Sequence, residues 1–295
     1  MTRTRFTSLA LLLTLGCDSQ QEGAAPSIPP SMQPPRTTNA SATPPAVPFD
    51  SLTPRALAKA LATWPHDTNA YTQGLLVYEG RILEGTGLEG RSELREVNRQ
   101  TGNVIRRTQL AASLFGEGIA VYGNRLYQLT WLGGHGFIYD ASSLSPVDSF
   151  TYQGEGWGLA SDGSRLYLSD GSSRIRVLNP SGMTVERTIE VKESGKTVWM
   201  LNELEWIRGE LWANIYQTDW IARIDPSTGA VLGWIDTSAL LKPDERADVV
   251  ARGGTANGIA FDTRTGRVLL TGKRWPRLFE AELSKLRPYP ASRSK

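Results

Sequence analysis

A small set of polar and aromatic residues recurs along the chain at intervals of 40 to 55 positions. Each opens one copy of a repeated phrase that continues with Gly or a substitute and then Leu or Ile: Gln73, Glu117, Trp157, Asn202 and Asn257. A carboxylate can transfer protons as a general acid or base, and amides can orient a ligand by hydrogen bonds. An indole supplies an apolar wall. Brought together, these residue types predict a site for a small polar ligand.

A second set of residues follows members of the first set at matching sequence offsets. Trp131 follows Glu117 by 14 residues, and Tyr216 follows Asn202 by the same interval. Lys273 follows the opening residue of the last copy by 16, and that copy has two extra residues in its first turn. Equivalent offsets predict that all three side chains face the same side of the fold. Lys273 is therefore a candidate partner for a developing negative charge.

The repeated phrase indicates how these residues are positioned. Each copy contains four short apolar segments separated by Gly, Asp, Asn and Pro, which is typical of antiparallel meanders. Five copies at this period predict an all-β chain, a five-bladed β-propeller of four-stranded antiparallel blades. The first strand of each blade lines the central channel, so the opening residues should converge at one mouth of that channel.

Two segments depart from the strand pattern. Residues 54–62 predict a short helix before the first blade, and residues 240–252 predict an insertion that is helical. The propeller domain is expected to occupy residues 54–285, followed by a polar tail at 286–295.

The first 53 residues resemble a targeting segment and a spacer. Arg3 and Arg5 precede an apolar run at 9–15 that is too short to span a bilayer, and the lone Cys17 follows it in an imperfect lipobox. We expect a signal peptide at 1–17, a lipid anchor on Cys17 and a disordered, Pro-rich linker at 18–53. The protein would then be exported as a periplasmic or cell-surface lipoprotein. An ordinary cleaved signal peptide is the alternative.

Composition narrows the classes of function. The chain has 32 basic and 30 acidic residues without blocks of like charge, so no nucleic-acid partner is expected. One cysteine precludes a disulfide within the chain. His66 and His135 lie in unrelated places, which disfavours a zinc site, and no metal ligands are predicted. We expect a monomer.

Other interpretations of the polar ring remain open at this point. The ring residues could satisfy one another, or hold water or a structural ion in the central channel. The domain could be a non-catalytic propeller of the cell envelope that binds peptides or small ligands. It could also be a calcium-dependent lactonase or hydrolase that uses Glu117, Asn202 and Asn257 as ligands, although Lys273 at the mouth argues against a cation there.

The chain is similar to the plant and bacterial propeller type of glutaminyl-peptide cyclotransferase over residues 64–283. The similarity rests on HD at 66–67, AYTQGL at 70–75, TGL at 86–88, GRS at 90–92, FGEGI at 115–119, QLTW at 128–131, GEGWGL at 154–159, LNELE at 201–205, WAN at 212–214, QTD at 217–219, NGIA at 257–260, TGK at 271–273 and WP at 275–276.

The resemblance implies that N-terminal glutamine of peptides or proteins is converted to pyroglutamate with release of ammonia, without zinc or another catalytic cofactor. By motif, it implies a site of Glu117, Lys273, Asn202 and Gln73 among the aromatic residues Tyr71, Phe115, Trp131 and Trp157. Family members usually carry Trp where Tyr216 stands. We add Tyr216 and Asn257 as residues expected to contact substrate.

The reaction joins the α-amine to the side-chain carboxamide carbon. We expect four residues to catalyse it, each with its own role. Glu117 would take the proton from the attacking amine and deliver it to the departing nitrogen. Lys273 and Asn202 would stabilise the oxyanion, and Gln73 would hold the substrate amide or amine.

Overall fold

The structure, a computed structural model, describes residues 50, 52–284 and 287–288. The predicted signal peptide, Cys17, nearly all of the linker and most of the polar tail lie outside these residues. Within them, no helix is long and apolar enough to cross a membrane.

The described chain begins with strand β1 (Pro54–Pro65). Three sheets of four antiparallel strands follow. The first contains β2 (Thr72–Tyr78), β3 (Arg81–Thr86), β4 (Glu93–Val97) and β5 (Val104–Gln109). The second contains β6 (Gly116–Tyr122), β7 (Arg125–Thr130), β8 (His135–Asp140) and β9 (Pro146–Thr151). The third contains β10 (Leu159–Ser161), β11 (Leu166–Ser169), β12 (Arg174–Asn179) and β13 (Thr184–Glu190).

The remaining strands form a two-stranded ribbon and one larger sheet. The ribbon contains β14 (Lys192–Glu193) and β15 (Lys196–Thr197). The larger sheet includes the meander of β16 (Leu201–Ile207), β17 (Glu210–Ile215), β18 (Trp220–Ile224) and β19 (Val231–Asp236). It also includes β20 (Thr255–Asp262), β21 (Arg267–Lys273), β22 (Arg277–Leu283) and β23 (Arg287–Pro288), with β1 between the two groups. The prediction of an all-β, propeller-like chain with four-stranded antiparallel sheets is confirmed.

The prediction of a helix at 54–62 is wrong, because this segment is the first part of β1. Residues 55–57 run parallel to β19, and the rest of β1 runs antiparallel to β22, with Ala58 opposite Leu283. Ala and Leu favour a helix in isolation. The open edge of β22 offers backbone hydrogen bonds along most of the segment, and this tertiary pairing overrides the local preference.

The predicted helical insertion is confirmed as α1 (Pro243–Ala251). Pro243 occupies the first turn, where its missing N–H costs nothing, and Asp244 and Glu245 place negative charge near the helix N-terminus. Arg277 of β22 donates a hydrogen bond to Oε1 of Glu245 over 2.8 Å. This bond fixes the helix against the last group of strands.

The glycine that follows four of the five opening residues lets the innermost strands of neighbouring sheets approach closely. A Cβ on Gly74 would lie 2.6 Å from the backbone nitrogen of Ile119, and one on Gly118 would lie 2.7 Å from the carbonyl oxygen of Trp157. Neither position has room for a larger residue. The close approach explains why the repeated phrase contains glycine.

Glu203 stands where the other four copies of the phrase have glycine. Its Oε1 accepts a hydrogen bond from the backbone of Leu75 at 3.3 Å, and its Oε2 accepts one from Ile259 at 2.9 Å. One buried carboxylate of β16 therefore connects β2 and β20 across the centre of the fold. Burial raises the pKa of this carboxyl well above its usual range.

Apolar side chains fill the spaces between adjacent sheets. Leu83, Leu94 and Leu126 are fully buried between the first two sheets, and Leu166 and Leu168 are buried at the next interface. Each such side chain contributes roughly 1.5–3 kcal/mol by leaving water. The inward ends of the strands are thereby held rigidly enough to position a site.

Candidate active site

A cavity of about 170 Å³ lies where the innermost strands converge. Nine of the ten predicted site residues line it: Tyr71, Gln73, Phe115, Glu117, Trp131, Trp157, Asn202, Tyr216 and Lys273. The tenth, Asn257, is fully buried behind Gln73 and does not reach the cavity wall.

Irregular pairing in the innermost strands positions the polar residues of this cavity. The strand register shifts between Thr72 and Gly74 in β2, between Gly116 and Ile119 in β6, and between Leu201 and Leu204 in β16. Gln73, Glu117 and Asn202 lie within these shifts. A bulge bends its strand and redirects a side chain, so residues on different sheets can turn toward one point.

Glu117 is the buried carboxylate of the cavity. Its side chain accepts a hydrogen bond from Nε2 of Gln73 at 3.0 Å. Burial raises the pKa of Glu117 well above its usual range; the charge of Lys273 opposes this rise and that of Glu155 adds to it. A raised pKa makes a carboxylate a stronger base, which helps it to accept a proton from an amine before returning it.

Lys273 lies at the end of β21 and is only 2% exposed. Its Nζ lies 4.9 Å from the ring centroid of Tyr71 and 4.8 Å from that of Tyr216. Burial lowers the pKa of Lys273 to about 8, although the carboxylate of Glu117 favours the charged form. The ammonium group is thus held between two rings, where it can stabilise a nearby negative charge.

The two asparagines of the ring have different surroundings. Asn202 is buried at the cavity wall, and its Oδ1 has no hydrogen-bond partner among the residues that the structure describes. Oδ1 of Asn257 also has no partner among the described residues, but Asn257 does not line the cavity, and its Nδ2 donates to the carbonyl of Thr72 at 2.9 Å and to Oε1 of Gln73 at 3.4 Å. Asn202 is available to a ligand, whereas Asn257 supports Gln73 from behind.

Aromatic rings enclose the polar groups. Tyr71 packs edge-on against Phe115, which packs in the same way against Trp131 at a centroid distance of 5.6 Å. On the other side, Trp157 and Tyr216 form a second edge-on pair at 5.5 Å. Contacts of this kind fix the orientation of the rings, which form apolar walls beside the polar groups.

Two glycines make room for these rings. Phe115 lies against Gly87, where any Cβ would overlap the ring. Trp157 lies against Gly171, where a Cβ would come within 2.7 Å of the indole. Gly171 also has a φ of 77°, a conformation that other residues rarely adopt.

Sequence reasoning assigned no role to Glu155, which the structure places between two tryptophans. Its Oε2 accepts hydrogen bonds from Nε1 of Trp131 at 2.8 Å and from Nε1 of Trp157 at 2.9 Å. One carboxylate oxygen therefore orients rings from two sheets. The available signal was its position two residues before Trp157 in the GEGW segment.

A buried ionic network also lies next to the site, at the start of β2. Glu84 accepts hydrogen bonds from Thr72 at 2.7 Å and from Nε of Arg95 at 2.9 Å, and its Oε1 lies 3.0 Å from Nε2 of His66. Burial alone would raise the pKa of Glu84, but Arg95 and His66 outweigh it and hold that pKa well below its usual range. The network anchors Thr72, which precedes Gln73.

Comparison with known proteins decides the family. The sequence model of the glutamine cyclotransferase family matches residues 35–283. The chain belongs to this family. It is 43% identical to the glutaminyl-peptide cyclotransferase of Arabidopsis thaliana over 233 residues, which is 76% of this chain and 71% of the plant protein. Its structure is similar to the crystal structure of Myxococcus xanthus glutaminyl cyclase, with a TM-score of 0.73, 35% sequence identity and coverage of 80% of this chain and 99% of the other.

The cavity suits the reaction for which the family is named. It offers a proton carrier, a buried cation and an amide acceptor within walls that fit one small side chain. Within residues 52–284, no group of three or more His, Cys, Asp or Glu side chains is arranged to hold a metal ion.

Proposed function

We propose that this chain is a glutaminyl-peptide cyclotransferase in which Glu117 transfers the proton. The family membership and the two relatives support the activity. The observation that carries the assignment to this site is the buried Glu117, with a raised pKa, in one cavity with the buried cation of Lys273. The substrate is a peptide or protein with N-terminal glutamine, and the products are its pyroglutamyl form and ammonia.

Proton transfer is the first requirement of the reaction. The free α-amine titrates near ~7.7, so a large fraction is neutral and nucleophilic near pH 8. As this amine attacks the side-chain carboxamide carbon, the C–N bond forms and the nitrogen must lose a proton. Glu117 accepts that proton and then donates it to the amide nitrogen, which leaves as ammonia when the second C–N bond breaks.

Charge stabilisation is the second requirement. The tetrahedral intermediate carries negative charge on the former carboxamide oxygen, and a positioned donor typically contributes about 3 kcal/mol to its stability. Lys273 supplies a positive charge, and Asn202 on the cavity wall can donate to this oxygen through Nδ2, while its Oδ1 can accept from the substrate amine. With a pKa of about 8, Lys273 is mostly charged at neutral pH.

Orientation is the third requirement. The reaction is intramolecular, so holding the amine against the carboxamide carbon can account for several kcal/mol of the barrier. The rings of Phe115, Trp131 and Trp157 confine the folded glutamine side chain. Gln73 fixes one oxygen of Glu117 through its hydrogen bond.

The sheets support a propeller of five blades for this enzyme. Four blades correspond to the meanders that begin at β2, β6, β10 and β16. The fifth consists of β20, β21 and β22 with β1 as its outermost strand. An outer strand from the N-terminal end and three inner strands from the C-terminal end would close the ring. The cavity is lined by a single chain, so a monomer should be active.

The activity is tested with a Gln-initiated peptide and an otherwise identical peptide that begins with Asn. Asparagine would have to form a four-membered ring, so only the glutamine peptide should release ammonia and lose the corresponding mass. Release should continue in excess chelator. Failure of the glutamine peptide to cyclise would overturn the proposed function.

We also propose that the protein is exported and anchored through a lipid on Cys17. The proposal rests on the apolar run and lipobox-like sequence of residues 9–17. Metabolic labelling with an alkyne fatty acid should mark the wild-type protein and not Cys17→Ala. Equal labelling of both would contradict the anchor.

A further inference from the structure

A second cavity, of about 320 Å³, adjoins the first and shares Tyr216 with it. Its walls come from α1 and from the segments at 216–219 and 253–256, and Leu241, Val249 and Val250 supply apolar surface. We propose that this cavity, the α1 groove, binds the peptide residue that follows the N-terminal glutamine and favours an apolar side chain there. The inference rests on the proposed function.

The first cavity is too small to hold the second residue of the peptide as well as the glutamine. At about 170 Å³ it is smaller than the roughly 300–1,000 Å³ of sites that enclose a whole ligand. It can hold the glutamine that reacts, but the chain must continue outward from the carbonyl group of that glutamine. The next residue therefore lies against whatever surface borders the mouth.

Continuity identifies the α1 groove as that surface. Tyr216 separates the two cavities and contributes to both, and Nζ of Lys273 lies over its ring. Thr255, in the groove wall, pairs directly with Lys273 between β20 and β21. A peptide that leaves the reacting glutamine on this side would pass Tyr216 and enter the groove.

The groove chemistry indicates which side chain it accepts. Its charged residues, Arg246 and Asp219, form an ion pair with each other, and Arg246 also donates to the carbonyl of Ser238. The pair leaves little net charge to attract a charged residue. Val250 presents an apolar side chain that is 64% exposed, although it is large and hydrophobic. An apolar side chain of the substrate would cover it and gain the free energy of leaving water.

The alternative exit lies across the mouth, beside Trp131. There Leu132 is 44% exposed, but it lines neither cavity. This difference allows the two exits to be distinguished by matched substitutions at exposed apolar residues.

The experiment compares kcat/KM for Gln-Leu-Ala-amide with kcat/KM for glutaminamide, which lacks a following residue. For the wild type, kcat/KM relative to glutaminamide should be higher for Gln-Leu-Ala-amide than for Gln-Asp-Ala-amide. Val250→Asp should lower the Gln-Leu ratio about tenfold, because the leucine side chain would lose its apolar contact and would have to remove water from the new carboxylate. Leu132→Asp and Val185→Asp, the latter at a 53% exposed site on β13, should leave the ratio as in wild type.

Each result has a defined meaning. A ratio within about twofold of wild type in Val250→Asp, or a fall in Leu132→Asp instead, would overturn the groove assignment. Equal wild-type rates with Leu and Asp as the second residue would overturn the apolar preference. In each of these cases the cyclisation of glutaminamide leaves the proposed function intact. If wild type cyclises neither substrate, the proposed function itself fails.

Discussion

Nε2 of Gln73 donates a hydrogen bond to Oε1 of Glu117 over 3.0 Å, and the two residues come from different sheets. Each lies in a register shift of its innermost strand. The bond therefore depends on two bulges and on the close approach of β2 and β6. It leaves one carboxylate oxygen engaged and sets the direction of the other.

The first prediction concerns this bond. Gln73→Ala should lower kcat by about ten- to a hundredfold, because Glu117 loses the donor that orients it while the carboxylate itself remains. Steady-state kinetics on a Gln-initiated peptide measures the effect. Gln153→Ala, at an exposed residue that does not line the cavity, serves as the control. An unchanged kcat in Gln73→Ala would show that the bond does not position the proton carrier.

The second prediction concerns pH. Since the pKa of Lys273 is about 8 and the charged form is required, kcat/KM should fall as the pH rises above that value. Lys273→Arg keeps its charge throughout this range, so the alkaline fall should disappear in any activity that the variant retains. Lys273→Met should lose about a hundredfold or more. If kcat/KM of Lys273→Arg falls at alkaline pH as it does in wild type, a group other than Lys273 causes the fall.

The third prediction concerns Glu155. Glu155→Ala should raise KM several-fold, because Trp131 and Trp157 lose their shared acceptor. Glu155→Gln retains an acceptor and should restore KM toward wild type. It also removes a negative charge that raises the pKa of Glu117, so the acidic limb of the pH profile should move to lower pH. If Glu155→Ala leaves KM unchanged, the carboxylate does not position the rings.

The fourth prediction concerns stability. The folded-state pKa of Glu84 lies below the usual 4.5, so its ionic contacts stabilise the fold above that pH and are lost as the pH falls further. Glu84→Gln should lower the free energy of unfolding by about 3 kcal/mol at pH 7, because His66 loses its buried carboxylate and Arg95 keeps only Asp67 and Glu93 as anionic partners. The difference from wild type should shrink below pH 4.5.

Chemical denaturation at several pH values measures this difference, with the exposed Glu89→Gln as the control. A Glu84→Gln variant as stable as wild type at pH 7 would contradict the role of the network.

Local repetition explains why so much of the site was predictable. The opening residue, the glycine after it and the turn that follows recur in sequence, so the offsets of Trp131, Tyr216 and Lys273 could be compared between copies. All three line the cavity. Helix α1 was also predictable, because the predicted insertion at 240–252 that contains it interrupts the repeat.

What the sequence did not reveal depends on tertiary contacts. The partner of Ala58 is Leu283, 225 residues away, so no local pattern could distinguish strand β1 from a helix. Asn257 has the same place in its repeat as Glu117, but its side chain turns to the carbonyl of Thr72. The role of Glu155 requires two indoles from different sheets to converge on one oxygen.

The most direct test of the account is ammonia release from a Gln-initiated peptide by wild type and by Glu117→Gln. The substitution keeps the size of the side chain and removes its ability to accept and return the proton. We predict that kcat falls by about 10²–10⁴ while the protein remains folded. Ammonia release by Glu117→Gln at the wild-type rate would contradict the assignment of Glu117 as the proton carrier.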